Sequence, residues 1–265
     1  MEEEIRRLAE AARASSESGK IDESIISYQK ITKLRPEDAE SWLTLGELQA
    51  QAGSVEDGIE SIRESIRLDP GNSYAWLILG YLHHASGNLD EAKRSGLHAV
   101  EIEFENADAW LFLSGVAGQL GEIEQAENCA WRAVSLDQNN PNSHTNHGHA
   151  LLNLGNPGEA ETAYWKALEL APTMPEPRLG LISILINTTR LDELSSHIRQ
   201  LLNADLNSAE ILSEIGERAL ERGNSSGAIA LFSNLIASYP EYENGHIWLN
   251  KAYLAADSST EARHS

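Results

Sequence analysis

The sequence is poor in cysteine and has no long apolar run. Cys129 is the only cysteine among 265 residues, so no disulfide can form within the chain and an oxidising compartment is not indicated. No stretch approaches the roughly 18 consecutive apolar residues of a transmembrane helix. The first residues, Met-Glu-Glu-Glu-Ile, are acidic where a secretory signal would be basic and then apolar. We therefore expect a cytoplasmic protein without membrane insertion.

Clustered basic residues are also lacking. The formal net charge is -21 at pH 7, from 41 acidic and 20 basic side chains. A nucleic-acid-binding surface needs a basic face that neutralises phosphates, so we do not expect a nucleic acid as the partner. The acidic charge favours partners with a basic segment, because such segments are attracted over long distances.

Motifs that carry catalytic chemistry are absent from the sequence. It contains no phosphate-binding loop, dinucleotide fingerprint or nucleophile elbow. His144 and His147 have the spacing of two ligands on one helix face, and His149 follows them. However, the repeat register described below places no cysteine or carboxylate beside them. We expect no metal, no cofactor and no enzymatic activity.

The most regular feature that is present is a glycine that recurs every 34 residues. This period predicts an array of helix-turn-helix units with a glycine in each turn. Tryptophans and small residues keep the same interval, so three registers agree. The glycines are Gly19, Gly53, Gly87, Gly121, Gly155 and Gly223, with Thr189 in the remaining place; the tryptophans are Trp42, Trp76 and Trp110; the small residues are Gly46, Gly80, Ser114, Gly148 and Gly216.

Each unit resembles the tetratricopeptide repeat. That family's pattern has an aromatic residue, then Leu and a small residue, then a small, aromatic, small series in the second helix and a closing proline. One copy contains Trp76, Leu79, Gly80, Ala92 and Ala99; another contains Leu154, Gly155, Ala160, Tyr164, Ala167 and Pro172. The resemblance implies an all-α fold, an α-solenoid wound as a right-handed superhelix of about seven helix-turn-helix repeats with a C-terminal capping helix.

The register predicts one tetratricopeptide repeat domain over residues 1–256. A capping helix over residues 243–256 follows the last repeat, and residues 257–265 are polar, so we expect a disordered tail. The seven repeats fall near residues 5–38, 39–72, 73–106, 107–140, 141–174, 175–208 and 209–242.

The sixth repeat departs from the pattern. Bulky or branched residues, Ile182, Thr189 and Leu194, occupy positions that are small in the other repeats. They predict that the helices are pushed apart, unless the first helix slides by two residues so that Leu179 and Gly180 take the Leu-Gly role. The sequence leaves open whether this is a drifted repeat with local repacking or a functional hinge.

The resemblance also implies that the first helix of each repeat lines a concave groove, with repeat positions 2, 6, 9 and 13 facing into it. Three of these positions in the third repeat and one in the fourth carry aromatic or aliphatic side chains, which is typical of an interaction site because an apolar cluster has no structural use in an empty groove. The alternative is that these side chains pack against each other across the groove. The residues are Tyr74, Ile78, Tyr81 and Phe112.

Two polar sets occupy the same groove positions in later repeats. Side-chain amides in the fifth repeat can donate to and accept from a peptide backbone, and they resemble a short form of the asparagine ladder in O-linked N-acetylglucosamine transferases. Carboxylates in the seventh repeat would attract a basic segment. Either set could also be a solvated face. The first set is Asn142, Asn146, His149 and Asn153; the second is Glu210, Glu214, Glu217 and Glu221.

On the second helices, Leu97, Trp131 and Trp165 share one outer position. They predict either a second docking stripe or packing along adjacent helices. Together these features favour a non-catalytic scaffold or adaptor that binds a peptide or protein segment in its groove, and they leave homo-oligomers open. The alternative is a substrate-docking subunit, or N-terminal region, of a peptide- or glycan-modifying transferase. A transferase domain encoded in frame or next door would favour that alternative.

Overall fold

The computed structural model describes residues 1–188 and 190–264, with side chains up to Asp257. Throughout this part of the chain the only regular elements are α-helices, which confirms the all-α prediction. The residues fall into two compact units, Met1–Gln138 and Asn139–Ser265, and the division lies between the fourth and fifth predicted repeats. Thr189, which we assigned to a turn, and Ser265 lie outside the described residues.

Unit 1 consists of four helix pairs, one for each of the first four predicted repeats. Consecutive helices pack side by side, and their facing residues form apolar clusters around Ile62 and Leu113. The helices are α1 Glu2–Glu17, α2 Ile21–Leu34, α3 Ala39–Gln51, α4 Val55–Leu68, α5 Ser73–Ala85, α6 Leu89–Ile102, α7 Ala107–Gln119 and α8 Ile123–Leu136.

Unit 2 consists of three helix pairs and a longer last helix. Its core is one continuous apolar cluster that includes Tyr164, Leu212 and Phe232. The helices are α9 Pro141–Asn153, α10 Pro157–Leu170, α11 Pro175–Leu185, α12 Leu191–Ala204, α13 Ser208–Glu221, α14 Ser225–Ser238 and α15 Glu243–His264. The last helix thus runs beyond residue 256, where we placed the end of the capping helix. No glycine or proline follows Gly245 to stop it.

The recurring glycines lie in the turns within the helix pairs, as the register predicts. Gly53 has φ +83°, a left-handed conformation that is accessible to glycine because it has no Cβ. Its N–H donates to Ala50 O, and the N–H of Ser54 donates to Gln49 O, so two carbonyls of the last turn of α3 are satisfied. All six recurring glycines have φ between +75° and +84°.

A side-chain hydrogen bond closes the loop that precedes several first helices. Trp42 Nε1 donates to Pro36 O at 2.9 Å, which ties the loop before α3 to the first turn of that helix. The donor need not be an indole, since Arg178 and His246 stand in the same register position. The other bonds are Trp76 Nε1 to Pro70 O, Trp110 Nε1 to Phe104 O, Arg178 Nη2 to Pro172 O and His246 Nε2 to Pro240 O.

The bulky residues of the sixth repeat are accommodated by looser pairing. Ile182 and Leu194 are fully buried, and α11 and α12 approach each other less closely than α9 and α10 do. The prediction that these residues separate the helices is therefore confirmed. The helix start itself keeps the register, because α11 begins at Pro175, 34 residues after the start of α9 at Pro141.

A different packing joins the sixth and seventh repeats. α14 packs against α12 as well as against α13, which brings the start of α14 close to the end of α11. Asn224 Nδ2 donates to Ile186 O at 2.8 Å, and a Cβ on Gly227 would overlap that carbonyl. Glycine is therefore required at position 227 for this close approach.

Candidate functional site

Two tyrosines of α5 form the exposed centre of the predicted aromatic site in unit 1. Tyr74 and Tyr81 are 48% and 45% exposed, because both lie on the helix face that points away from α4 and α6. Ile78, between them on the same face, is half-buried and packs against the cluster around Ile62. The exposed part of the predicted site is thus smaller than the sequence implied.

Phe112 does not belong to the exposed surface, and its assignment as a groove residue is wrong. It is only 7% exposed. Its ring occupies the space left by Gly80 and Gly96: a Cβ on Gly80 would lie 2.8 Å from Phe112 Cε1, and one on Gly96 would lie 3.0 Å from Cδ1. The ring edge also contacts Tyr81, with centroids 4.5 Å apart at an angle of 61°. The buried Phe112 ring therefore packs against the half-exposed Tyr81 ring.

Carboxylates lie beside both exposed tyrosines. Tyr74 Oη donates to Glu47 Oε1 of α3 at 2.5 Å, and this bond, with burial and the negative charge, raises the pKa of Tyr74 to about 12. Burial and the nearby Asp108 carboxylate of α7 raise the pKa of Tyr81. We call Tyr74, Tyr81, Glu47 and Asp108 the tyrosine–carboxylate site.

Sequence reasoning missed Asp108 as a member of this site. The signal was available, because Asp108 occupies repeat position 2 of the fourth repeat, the same groove position as Tyr74 in the third. The apolar character of the neighbouring groove positions gives no sign of this acidic side chain. Its inclusion changes the chemistry of the site from apolar to aromatic and anionic.

The predicted amide row lies on one face of α9 in unit 2. Asn142, His149 and Asn153 are exposed, and Asn146 is half-buried. The His149 ring stands edge-on to the Tyr164 ring, with centroids 5.4 Å apart. Three of the four side chains can therefore reach a ligand, while His149 is also positioned by the core.

The predicted acidic row lies along α13. Glu210, Glu214 and Glu221 are exposed and Glu217 is half-buried. Glu214 Oε2 lies 3.6 Å from Arg218 Nη2, one turn further along the helix. This single exposed ion pair offsets little of the repulsion between the four carboxylates, because solvent screens it.

The outer tryptophans are exposed, Trp131 by 54% and Trp165 by 45%, and they belong to different units. Leu97 is half-buried and packs against the cluster around Leu113. The Trp165 ring lies beside the buried His197 ring, with centroids 5.2 Å apart. Trp165 therefore borders a cavity between helices rather than only a flat ridge.

The histidines of α9 occupy different environments. His144 is buried at the position that holds Trp42, Trp76 and Trp110 in the earlier repeats, while His147 is half-buried. Within residues 1–188 and 190–257, no three His, Cys, Asp or Glu side chains are grouped closely enough to hold a metal ion. None of the helices in the described part of the chain is both long and apolar enough to cross a membrane.

Several solved helical repeat proteins have folds similar to this one. MamA is 25% identical with a TM-score of 0.60, over 65% of this chain and 94% of MamA. YrrB, described as a tetratricopeptide repeat protein with an unusual peptide-binding site, is 17% identical with a TM-score of 0.55, over 82% and 95%. PilF of Pseudomonas aeruginosa is 18% identical with a TM-score of 0.63, over 80% and 97%.

No curated protein matches the chain in sequence. Tetratricopeptide repeat models, in contrast, match residues 9–73 and 214–263, residues 62–94, and residues 107–140 and 141–174. These matches stop where the divergent sixth repeat begins and resume in the seventh. The helix pairs, the turn glycines and the sequence matches agree: the chain belongs to the tetratricopeptide repeat family.

Proposed function

We propose that this protein is a non-catalytic scaffold that binds a peptide or protein segment, and that the tyrosine–carboxylate site receives a basic side chain of that segment. The observation that carries the proposal is the pairing of two half-exposed tyrosine rings with two carboxylates on one face of unit 1. A Lys or Arg side chain can satisfy both, because its charge is attracted to a ring face and to a carboxylate.

The chemistry of the site supports a basic partner over an apolar one. An apolar segment would bury the charges of the Glu47 and Asp108 carboxylates without a counter-ion, which is costly. A cationic side chain avoids that cost. The net charge of -21 adds a long-range attraction for the same class of segment. The description of YrrB as a peptide-binding repeat protein is consistent with this class of function.

The experiment is a calorimetric titration of the full chain with a lysine-rich synthetic peptide and a matched peptide with glutamine at every lysine. We expect saturable binding of the lysine peptide only, with affinity falling as salt rises. The double substitution Tyr74→Ser and Tyr81→Ser should weaken binding about tenfold, since two cation–π contacts are lost. Circular dichroism should show unchanged helicity, because both rings are half-exposed.

A matched control is Tyr253→Ser, which removes a tyrosine of similar exposure from α15 in unit 2. It should leave binding unchanged. The proposal is wrong if the glutamine peptide binds equally well, or if the Tyr74 and Tyr81 substitutions leave the affinity for the lysine peptide unaltered.

A second candidate, the docking module of a peptide- or glycan-modifying transferase, is supported by the amide row on α9. Loss of transferase-dependent modification of a bound peptide on substituting Asn142 and Asn153 by Ala would favour it. For either function we infer a reducing compartment such as the cytoplasm. The support is that Cys129 is the only cysteine of the sequence, so no disulfide can form within the chain.

A further inference from the structure

Arg178 is a buried guanidinium in a position that holds tryptophan in the second to fourth repeats. Arg178 lies on α11 of unit 2 and is 7% exposed. Nη2 donates to Pro172 O at 2.5 Å, which reproduces the loop-closing bond of the tryptophans. Nη1 donates to Gln200 Oε1 at 2.5 Å and faces His197 Nδ1 at 3.3 Å, both on α12.

The acceptors in these three contacts are all neutral, and some N–H donors of Arg178 are not used by them. A guanidinium cannot accept a hydrogen bond, so His197 Nδ1 must be the acceptor and His197 is neutral. Burial and the adjacent Arg178 charge lower the pKa of His197, in agreement with this. Of the five N–H groups of Arg178, the three contacts engage three, and two remain for a further acceptor.

The charge of Arg178 has no carboxylate directly beside it. Across residues 1–188 and 190–257, no carboxylate oxygen lies within 4.0 Å of its guanidinium. Two acidic groups close enough to act on His197 are paired with Arg190: Glu193 accepts from its Nε at 2.8 Å and its Nη2 at 2.5 Å, and Glu161 lies 2.7 Å from Nη1. Burial lowers the pKa of Arg178, as expected for a desolvated cation whose charge is not offset nearby.

A cavity of about 280 Å³ opens beside this guanidinium, between α10, α11 and α12. Its lining combines the apolar surfaces of the exposed Trp165 ring, Leu168 and Pro172 with the polar side chains of Glu193, Ser196, His197 and Gln200. The volume lies just below the range of about 300 to 1,000 Å³ that is usual for whole small-molecule ligands. It suits the side chain or terminal residue of a larger partner.

We propose that this cavity binds a carboxylate of a partner protein, from an Asp or Glu side chain or a chain terminus, with Arg178 as its counter-ion. The two remaining N–H groups of Arg178 donate to the carboxylate, and the Trp165 ring packs against the adjoining methylene groups. Glu193 does not compete for Arg178, because both of its oxygens accept from Arg190. The site lies in unit 2 and does not depend on the tyrosine–carboxylate site of unit 1.

The test uses the full chain labelled with ¹⁵N and three probes. N-acetylglutamate N-methylamide carries one carboxylate, N-acetylglutamine N-methylamide is its neutral match, and inorganic phosphate represents a free anion. We expect saturable shifts of the Arg178 Nε–H and Trp165 indole N–H signals with the glutamate probe and none with the glutamine probe. Equal shifts with both amides, no shift with the glutamate probe, or saturation by phosphate alone would each overturn the proposal.

Arg178→Trp is the decisive variant, because tryptophan supplies the Pro172 hydrogen bond but no guanidinium. It should remain folded by circular dichroism and lose affinity for the glutamate probe by about tenfold or more, the loss expected for a charge-assisted pair of hydrogen bonds. Arg178→Lys keeps the charge but not the planar pair of donors. Its affinity for the glutamate probe should lie between that of the parent and that of Arg178→Trp. Undiminished binding in either folded variant would show that Arg178 does not hold the carboxylate.

Discussion

Tyr164 of α10 packs directly on Gly180 of α11, so closely that a Cβ on Gly180 would overlap the phenol ring. In unit 1 the same two register positions have the sizes reversed, with Gly96 on α6 and Phe112 on α7. Each pair consists of one ring and one glycine, 16 residues apart. In each pair a single ring fills the space between two successive helices. The ring comes from the first helix of the pair in unit 2 and from the second helix in unit 1.

Gly180→Ala should destabilise unit 2 by about 1 to 3 kcal/mol, the usual cost of overpacking, because the Tyr164 ring has no free space to move into. Gly158→Ala is the control. Gly158 is exposed in the first turn of α10, with nothing within 4 Å of an added Cβ, and alanine there should stabilise by up to about 1 kcal/mol through helix propensity. Urea denaturation measures both changes. If the two substitutions shift the midpoint in the same direction, the close packing is wrong.

Phe112→Ala should cost about 3 to 5 kcal/mol, the range for removing a buried aromatic ring. Tyr74→Ser, on the neighbouring helix and half-exposed, should change the free energy of unfolding by much less. Thermal melts of the two variants give the comparison. A Phe112→Ala protein as stable as the parent would restore this residue to the exposed surface, where the sequence placed it.

Tyr74 should ionise at a higher pH than an ordinary tyrosine, since its hydrogen bond to Glu47 and its partial burial raise its pKa from 10.0 to about 12. Glu47→Gln removes the negative charge and should return the pKa towards 10. Tyrosinate absorbance against pH, with a Tyr74→Phe protein subtracted to isolate this ring, measures the shift. The same midpoint in the parent and in Glu47→Gln would mean that the bond does not form in solution.

The same shift has a defined effect on stability. The folded chain holds the Tyr74 proton more tightly than the unfolded chain does, so the contribution is fully present below about pH 10 and is lost as the pH rises towards 12. Glu47→Gln should therefore flatten the fall in stability over that interval.

Replacing Glu210, Glu214, Glu217 and Glu221 by Gln should leave unit 2 as stable as before or slightly more stable. Like charges one turn apart cost about 0.2 to 0.5 kcal/mol per pair, and only the exposed Arg218 pair is lost. If the acidic row attracts a basic segment, the variant also binds the lysine-rich peptide more weakly and with a shallower salt dependence.

The control for this variant changes net charge equally without touching α13. Glu56, Glu105, Glu124 and Glu241 are exposed and scattered over other parts of the chain. Their replacement by Gln should reduce binding less. Equal binding losses in both proteins would assign the attraction to net charge and leave the α13 row as a solvated face.

The repeat register could be predicted because its signals are local. A turn glycine such as Gly53, and a loop-closing residue such as Trp42, act within a few residues of their own position. The burial of Phe112 could not be derived in that way, since it depends on a gap that Gly96 leaves on another helix. That gap was visible in the register: the equivalent residues are Tyr28, Ile62, Ala130, Tyr164, Ile198 and Phe232, all larger.

The Arg178 cavity was beyond the sequence for a similar reason. An arginine in a tryptophan position suggests substitution of one loop-closing donor by another, and only the contacts with α12 show how many of its N–H groups are left over. Charge balance around a buried group depends on which neighbours are already paired, as Glu193 is with Arg190. The Glu193 pair is local, three residues along the chain, but Glu161 on α10 pairs with Arg190 from another helix, and that kind of pairing has no periodic signature.

The loop-closing bonds of unit 1 make its tryptophans natural reporters of motion. The indole N–H groups of Trp42, Trp76 and Trp110 each donate to the loop before their own helix. Each can exchange its proton with solvent only when that loop opens. Neighbouring repeats of such an array open with different free energies. The exchange rates of the three indole protons therefore measure local unfolding separately at the second, third and fourth repeats, which begin with α3, α5 and α7.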